Sequence, residues 1–249
     1  ADRHRGDLHE ELSARPGNEE HRSEGHHVGE DREGHRARDL SGAGDRRLEG
    51  GHPGLPLLED VLADHHRVTM PLYGTDVDVV IWPENASDVD PLRYPRAAAV
   101  VSEVSREMDA PLVVGAITRD GEETFNSMLL WEYDSASQRD IVRDQYDKIH
   151  PVPFAEYLPW RNFFYPLAPS LFDMVPRDYS FGERDTVFDV GGARAGIAIC
   201  FDIVDDAILW SMMESGADVI FAPTNNADFG QTDQSIQQLS IARMRAMET

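Results

Sequence analysis

The chain has 249 residues, of which 41% are hydrophobic, and a formal net charge of −23. This length and composition are sufficient for one large α/β domain or two small domains. Such an acidic surface argues against nucleic acid as a partner, because neutralising phosphates requires clustered lysine and arginine side chains.

Residues 1–72 are predicted to form a low-complexity leader rich in histidine, arginine and acidic residues. Nine of the ten histidines lie within residues 1–67, which contain no phenylalanine, tyrosine or tryptophan. Such a segment buries too little apolar surface to offset its ordering entropy, so we expect it to be disordered or loosely helical. Its histidines lack regular metal-ligand spacing, and a metal-binding tail is an alternative to a solvated extension.

From Val77 onward the sequence alternates between apolar strands and amphipathic helices. The run VDVVIW at 77–82 predicts a fully buried strand, because it is a short apolar run that ends in the turn sequence PEN. Apolar residues recur at helical spacing after Pro95 and predict a helix over about 95–109. An Asp-Gly turn separates two further predicted strands, at 111–118 and 124–133.

The C-terminal half continues this alternation. A Gly-Gly turn joins two strands of a predicted hairpin, at 186–190 and 195–201. We then expect a helix over about 204–215, a strand at 218–224, and a helix from 234 to the last residue. Such units, with continuous apolar strands, predict an α/β fold in which helices cover a sheet. Because the sequence stops inside a helix without a terminal strand, we expect a fragment of a longer protein.

Three residues with reactive side chains lie at or near the ends of predicted strands. Glu84 directly follows the strand at 77–82, and Cys200, the only cysteine, ends the apolar run GIAIC. A single cysteine excludes an intrachain disulfide and a multi-cysteine metal site. Lys148, the only lysine beside 22 arginines, lies in the aromatic and apolar segment YDKIHPVPFAEY. Taken singly, Glu84 could be a turn carboxylate and Cys200 a small buried hydrophobic residue.

Together these residues supply the parts of a nucleophilic site. A cysteine thiol must lose its proton before it can attack, and a carboxylate such as Glu84 can accept that proton. The Lys148 ammonium can then stabilise the oxyanion that forms when the thiolate attacks a carbonyl or nitrile carbon. Arginine would fill this role with a different geometry, because its charge is spread over a planar fork. We therefore expect position 148 to require a compact charge.

The motifs WPEN around Glu84, YDKIHPVPFAEY around Lys148 and GIAICFD around Cys200 resemble those of the nitrilase, or carbon-nitrogen hydrolase, superfamily. The resemblance implies an α/β fold, the nitrilase-like α-β-β-α sandwich, with a Glu-Lys-Cys triad. It covers residues 77–249, as a catalytic domain that is incomplete at both ends and truncated at its C-terminus.

Within the superfamily, the chain most resembles the catalytic domain of the apolipoprotein N-acyltransferases. The likeness rests on the continuation HPVPFAEYLP after the lysine, the loop TNNADFG at 224–230, and the closing segment QQLSIARMRAMET. It implies that Cys200 takes an acyl chain from a phospholipid as a thioester. The acyl chain would then pass to the amino group of the diacylglyceryl-cysteine at the N-terminus of an apolipoprotein.

The same likeness implies roles for the polar residues of the site. Glu84 would be the general base, and Lys148 would stabilise the tetrahedral intermediates. Glu156 matches a second glutamate that supports the site in this family, with a solvated loop charge as the alternative. Asp202 would shape the wall of the site, cap the helix from about 204, or do both.

Substrate contacts are expected from Phe201, Trp160 and Asn225. Four aromatic residues after the lysine motif would either form an apolar lid for acyl chains or pack ordinarily, namely Trp160, Phe163, Phe164 and Tyr165. Asp228 stands where the family commonly has an aromatic residue, which weakens a lipid-contacting role for its loop.

The resemblance implies no metal and no organic cofactor. The expected partners are a phospholipid acyl donor and an apolipoprotein acceptor. No apolar run approaches the length of a membrane span, so this chain alone would be soluble. The complete protein would associate with the cell membrane through parts absent from this chain, with the catalytic domain on the extracytoplasmic face. Two alternatives stay open, which are a soluble nitrilase-type amidase acting on a small amide and an inactive fragment.

Overall fold

The computed structural model describes residues 60–173 and 178–249. The described part begins with helix α1 (Asp60–Thr69), which a 3-10 turn (Met70–Leu72) follows. Leu62 of α1 is fully buried in a core that it shares with Trp82. The predicted boundary at 72 leaves this helix outside the domain, whereas its apolar side chain packs inside. The prediction for residues 1–59 lies outside the described residues.

Two β-sheets form the centre of the described structure. The first sheet has the strand order β1-β2-β3-β4, in which β1 and β2 are parallel and the other pairs are antiparallel. Its strands are β1 (Val80–Ile81), β2 (Leu112–Asp120), β3 (Glu123–Asp134) and β4 (Arg139–Asp147). The second sheet has an antiparallel hairpin and a parallel third strand. Its strands are β5 (Val187–Val190), β6 (Ala193–Ile197) and β7 (Val219–Phe221).

The two sheets pack face to face. Side chains alternate between the two faces of a strand, so that Val113 of β2 joins Phe188 of β5 in a core between the sheets. The neighbouring Leu112 belongs instead to a core with helix α2 (Pro95–Met108). This alternation places α2 on the outer face of the first sheet.

Helices also cover the second sheet. They are α5 (Asp206–Glu214) and α6 (Gln234–Glu248), which follow two short helices, α3 (Arg161–Phe164) and α4 (Pro169–Phe172). Met212 of α5 and Ile241 of α6 share a third core with Ile220 of β7. The order helix, sheet, sheet, helix confirms the predicted α-β-β-α sandwich.

The predicted strand at 77–82 differs from the observed one. Only Val80 and Ile81 pair with β2, and the Ile81 side chain is 36% exposed. The prediction of a fully buried strand is therefore wrong. In the described sheet β1 has a neighbour on one side only, which leaves part of its surface open to solvent.

Strand β4 is an element that the sequence pattern did not predict. Its sequence, RDIVRDQYD, is charged at most positions and has no continuous apolar run. It lies at the end of the described strand order, and Arg143 pairs there with Glu132 of β3 at 2.7 Å. Charged residues suit an edge strand because they discourage pairing with another chain. This strand nevertheless matters for the site, since Lys148 directly follows it.

Gly115 of β2 allows the turn after β1 to pass close to the sheet. A Cβ atom at this position would meet the Pro83 carbonyl oxygen, and would lie 2.8 Å from the Glu84 Cα atom. The Gly115 carbonyl also accepts a hydrogen bond from the Ser87 N–H at 2.8 Å. The missing side chain therefore helps to set the position of Glu84.

We expect Gly115→Ala to lower the free energy of unfolding by about 1–3 kcal/mol, the usual cost of overpacking against a backbone that must shift. Urea denaturation would measure the change. Gly121→Asn is the control, because Gly121 has a φ of +58° with nothing within 4 Å of an added Cβ, and asparagine tolerates this conformation. Equal losses in the two variants would contradict the close-approach argument.

Candidate active site

The candidate site draws one residue from each of three elements of the sandwich. Glu84 lies in the turn after β1, and Lys148 is the first residue after β4. Cys200 begins a 3-10 turn (Cys200–Val204) just beyond the end of β6. Because β1 and β4 belong to the first sheet and β6 to the second, the three residues meet where the two sheets face each other.

Lys148 forms a buried ion pair with two carboxylates. Its Nζ atom donates to Glu84 Oε1 at 3.0 Å and to Glu156 Oε2 at 2.7 Å. The side chains of Lys148 and Glu84 are only 1% and 5% exposed. Burial acts to lower the pKa of Lys148, but the two carboxylates outweigh it and raise that pKa above its ordinary value. Lys148 therefore stays charged at neutral pH.

Asn126 of β3 connects the same two carboxylates, and the sequence analysis missed it. Its Nδ2 atom donates to Glu84 Oε1 at 2.7 Å and to Glu156 Oε1 at 2.9 Å. Its backbone carbonyl oxygen accepts from the backbone N–H of Lys148 at 2.8 Å. A buried amide in an apolar strand needs polar partners. The asparagine within the predicted strand TFNSMLLWEY was therefore the sequence signal for a residue of the site.

Asn225 holds the second oxygen of the Glu84 carboxylate. Its backbone N–H donates to Glu84 Oε2 at 3.0 Å, while its side-chain oxygen accepts from the Ala227 N–H at 3.0 Å. Glu84 thus has both oxygens engaged, which fixes its orientation. A substrate contact of the Asn225 side chain stays a prediction.

Cys200 adopts a backbone conformation that is uncommon for a residue with a side chain. Its φ is +50°, in the left-handed region, and its N–H donates to the Pro223 carbonyl at 3.0 Å. Burial, together with the nearby Glu84 carboxylate, raises the pKa of the thiol to about 12, although Lys148 acts in the opposite direction. The resting thiol is therefore protonated at neutral pH, and its attack requires transfer of the proton to a base.

Gln238 of α6 is a second residue that the sequence analysis missed. Its Nε2 atom donates to Cys200 Sγ at 3.6 Å and to Thr224 Oγ1 at 3.1 Å. Nothing in the repetitive polar pattern QSIQQLS distinguishes this glutamine from its neighbours. Only the packing of α6 against the end of the second sheet places it beside the thiol.

Asp202 is fully buried and joins the segments that carry Cys200 and Lys148. Its Oδ2 atom accepts from the Ile199 N–H at 3.1 Å, and its Oδ1 atom accepts from the His150 N–H at 3.1 Å. The Tyr146 hydroxyl donates to Oδ2 at 2.7 Å. Asp202 therefore positions both segments.

The prediction that Asp202 caps the following helix is wrong. The N-cap of α5 is Asp205, whose side chain accepts from the N–H groups of Ala207 and Ile208. Asp205 directly precedes the first residue of the helix, as an N-cap must. The carboxylate of Asp202 instead accepts hydrogen bonds from Ile199, His150 and Tyr146.

Most of the predicted aromatic residues lie in the segment after Lys148, and Phe201 directly follows Cys200. Trp160 is 78% exposed, and Phe201 and Phe163 are also exposed. The Phe164 ring contacts those of Trp160 and Phe163, at centroid distances of 6.2 and 5.1 Å. The hydroxyl of Tyr165 donates to Asp173 at 2.7 Å.

These contacts show an exposed aromatic cluster, and its role as a lid for acyl chains stays a prediction. The same holds for the substrate contacts of Phe201 and Trp160. The side chain of Asp228 lies outside the described residues.

Comparison with known proteins relates the chain to one family. Residues 54–249 match the family model described as carbon-nitrogen hydrolase. The chain is 34% identical over 204 residues to a protein of Mycolicibacterium smegmatis named apolipoprotein N-acyltransferase, covering 78% of this chain and 31% of that protein. A protein of the same name from Geobacter metallireducens is 32% identical over 177 residues, covering 69% of this chain and 32% of the relative. The chain thus spans about a third of the length of these curated relatives.

The fold has a counterpart among solved structures. A CN-hydrolase superfamily protein from Xanthomonas campestris, described with an arsenic adduct in its active site, superposes with a TM-score of 0.50 at 16% identity. The match covers 75% of this chain and 65% of that one. At this identity the likeness concerns the fold alone.

Proposed function

Because the chain belongs to the carbon-nitrogen hydrolase family, we propose that it is the catalytic part of an N-acyltransferase. The acyl chain would move from a phospholipid, through a thioester on Cys200, to the terminal amine of the diacylglyceryl-cysteine of an apolipoprotein. One observation carries the proposal, namely that a buried lysine bridges two carboxylates beside the only cysteine. The names of the relatives support the same activity at the level of the family.

In the first half-reaction, Glu84 accepts the proton of the Cys200 thiol as Sγ attacks the ester carbonyl carbon of the phospholipid. An S–C bond forms, and the oxyanion of the tetrahedral intermediate is stabilised by the Lys148 ammonium. The C–O bond of the ester then breaks. Glu84 returns the proton to the leaving alkoxide, which departs as a lysophospholipid alcohol.

Glu156 has a distinct part in this scheme. When Glu84 takes up the thiol proton, it loses its negative charge and no longer neutralises Lys148. Glu156, at 2.7 Å from Nζ, keeps a counter-charge on the buried ammonium throughout the reaction. A buried charge without such a partner is costly, so the second carboxylate keeps Lys148 charged when the oxyanion forms.

The complete polypeptide would act at the cell membrane, with this domain on the extracytoplasmic face. In residues 60–173 and 178–249, no helix combines the length and the hydropathy that crossing a bilayer requires. The site has its charged groups buried, and an exposed aromatic cluster around Phe164 contacts Phe154, two residues before Glu156, at a centroid distance of 5.6 Å. A lipid donor fits such a cluster, because its acyl chains would meet apolar rings.

The direct test is intact-mass spectrometry of the chain after mixing with phospholipid micelles. We expect a hydroxylamine-labile adduct of fatty-acyl mass, and no adduct on Cys200→Ala, because the thiol is the only one in the chain. A cooperatively folded chain that forms no adduct and hydrolyses small amides would contradict the proposal in favour of an amidase. A chain that forms no adduct and unfolds without cooperativity would indicate an inactive fragment.

A further inference from the structure

Gln238 has a buried amide oxygen in the side chain that contacts the nucleophile. Its amide nitrogen is engaged twice, by donation to Cys200 Sγ at 3.6 Å and to Thr224 Oγ1 at 3.1 Å. Its amide oxygen is buried, and no donor in the described part of the chain bonds to it. The Thr224 hydroxyl donates in turn to the Ala222 carbonyl at 3.1 Å, so Thr224 is the acceptor in its bond with Gln238.

A buried carbonyl oxygen without a donor is uncommon in folded proteins, because burial removes its bonds to water. Beside a reactive thiol, such an oxygen is suited to a donor that a substrate brings. The ester of a phospholipid donor has no N–H or O–H group at its reacting centre. The amine that accepts the acyl group has N–H groups, and it enters after the thioester has formed.

We propose that the Gln238 amide oxygen binds the amine acceptor of the second half-reaction and orients it toward the thioester. This inference rests on the proposed acyl transfer and concerns its acceptor. An amine reaches the site largely as an ammonium ion, which loses much hydration energy on burial and needs fixed acceptors. Glu84 and Gln238, which both interact with Cys200, supply two, one charged and one neutral.

The step is balanced without any further reactant. The ammonium transfers one proton to solvent, and the neutral amine nitrogen attacks the thioester carbonyl carbon. An N–C bond forms and the C–S bond breaks. The proton that the nitrogen loses passes to Glu84 and then to Sγ, so the products are an amide and the free thiol. Gln238 holds a second N–H of the amine and exchanges no proton.

The test follows the reaction of the thioester with an amine and does not depend on a phospholipid as the source of the acyl group. The chain is loaded with p-nitrophenyl butyrate, and the butyryl thioester is divided between water and glycinamide, a small α-amine. We expect Gln238→Met to lower the ratio of amide to acid product about tenfold, the effect of losing one hydrogen bond of ordinary strength. The half-saturating glycinamide concentration should rise, and the product ratio reports this step whatever the rate of thioester formation, which the loss of the donor to Sγ can also change.

Two further variants complete the design. Gln238→Glu keeps an acceptor oxygen of the same reach and should keep the ratio close to that of the unchanged chain. Gln237→Met changes the adjacent, exposed residue of α6 and should leave the ratio unaltered.

Equal losses of aminolysis and hydrolysis in Gln238→Met would overturn the assignment of Gln238 to acceptor binding and leave the proposed function intact. If p-nitrophenyl butyrate loads Cys200 and phospholipid does not, while the ratio changes as expected, only the proposal of a phospholipid as acyl donor would be overturned. A chain that neither donor loads would overturn both.

Discussion

Replacing Lys148 with methionine should lower the free energy of unfolding by about 3–5 kcal/mol at pH 8, the range found when a buried ion pair loses one partner. Glu84 and Glu156 would then be buried without their shared cation, which they contact at 3.0 and 2.7 Å. Urea denaturation of the variant and of the unchanged chain measures the loss.

The contribution of Lys148 to stability has a defined pH dependence. In the folded chain the pKa of Lys148 is raised above its ordinary value, because the two carboxylates outweigh burial. Such a group stabilises the fold fully below its unfolded pKa and loses that contribution only as the pH rises through its folded pKa. The contribution of Lys148 is thus constant between pH 5 and 8 in the unchanged chain, and it declines only in the alkaline range.

Lys148→Arg separates charge from geometry at the same position. It keeps the positive charge, so the unfolding free energy should fall less than in Lys148→Met. Acyl transfer should nevertheless fall about 100-fold or more, as when a donor to an oxyanion is misplaced, because the planar guanidinium cannot occupy the place of Nζ. An exposed ion pair provides the control, since Arg143→Met should leave both properties nearly unchanged. Full activity of the arginine variant would refute the geometric argument.

The sequence was informative about the parts of the fold whose pattern is set by burial. The strands around 111–118 and 124–133 are rich in apolar residues because both faces are covered, one by α2 and the other by the second sheet. Strand β4 escaped this reasoning, because an edge strand can be charged and still form a ladder with β3. An element without an apolar run can be recognised only from its partner.

For the candidate site, motifs along the chain indicated Glu84, Lys148 and Glu156, and the structure brings their side chains into contact. Their catalytic roles stay predictions. Asn126 was missed because its contact with Glu84 spans 42 residues of sequence and depends on the register of the first sheet. Gln238 was missed for a similar reason, since its bond to Cys200 depends on how α6 packs against the second sheet. Bridging residues of this kind have no local signal of their own.

Glu84→Gln should have opposite effects on the two properties of Cys200. Loss of the general base should reduce thioester formation by about 10²–10⁴-fold, because no carboxylate remains to accept the thiol proton. The reactivity of the thiol toward iodoacetamide should instead rise. Burial and the Glu84 charge hold the pKa of Cys200 at about 12, and without that charge only burial opposes the lowering effect of Lys148.

The pH dependence of alkylation tests this reasoning. In the unchanged chain the alkylation rate should rise about tenfold per pH unit through the neutral and alkaline range, since only the thiolate reacts. In Glu84→Gln the rate should be higher at pH 8 and should level off at lower pH. Glu156→Gln is the matched control, because it removes the other carboxylate on Lys148, whereas the charge that raises the pKa of Cys200 belongs to Glu84. A thiol that becomes less reactive in Glu84→Gln would show that Glu84 does not oppose its ionisation, and the assignment of Glu84 as base to Cys200 would fail.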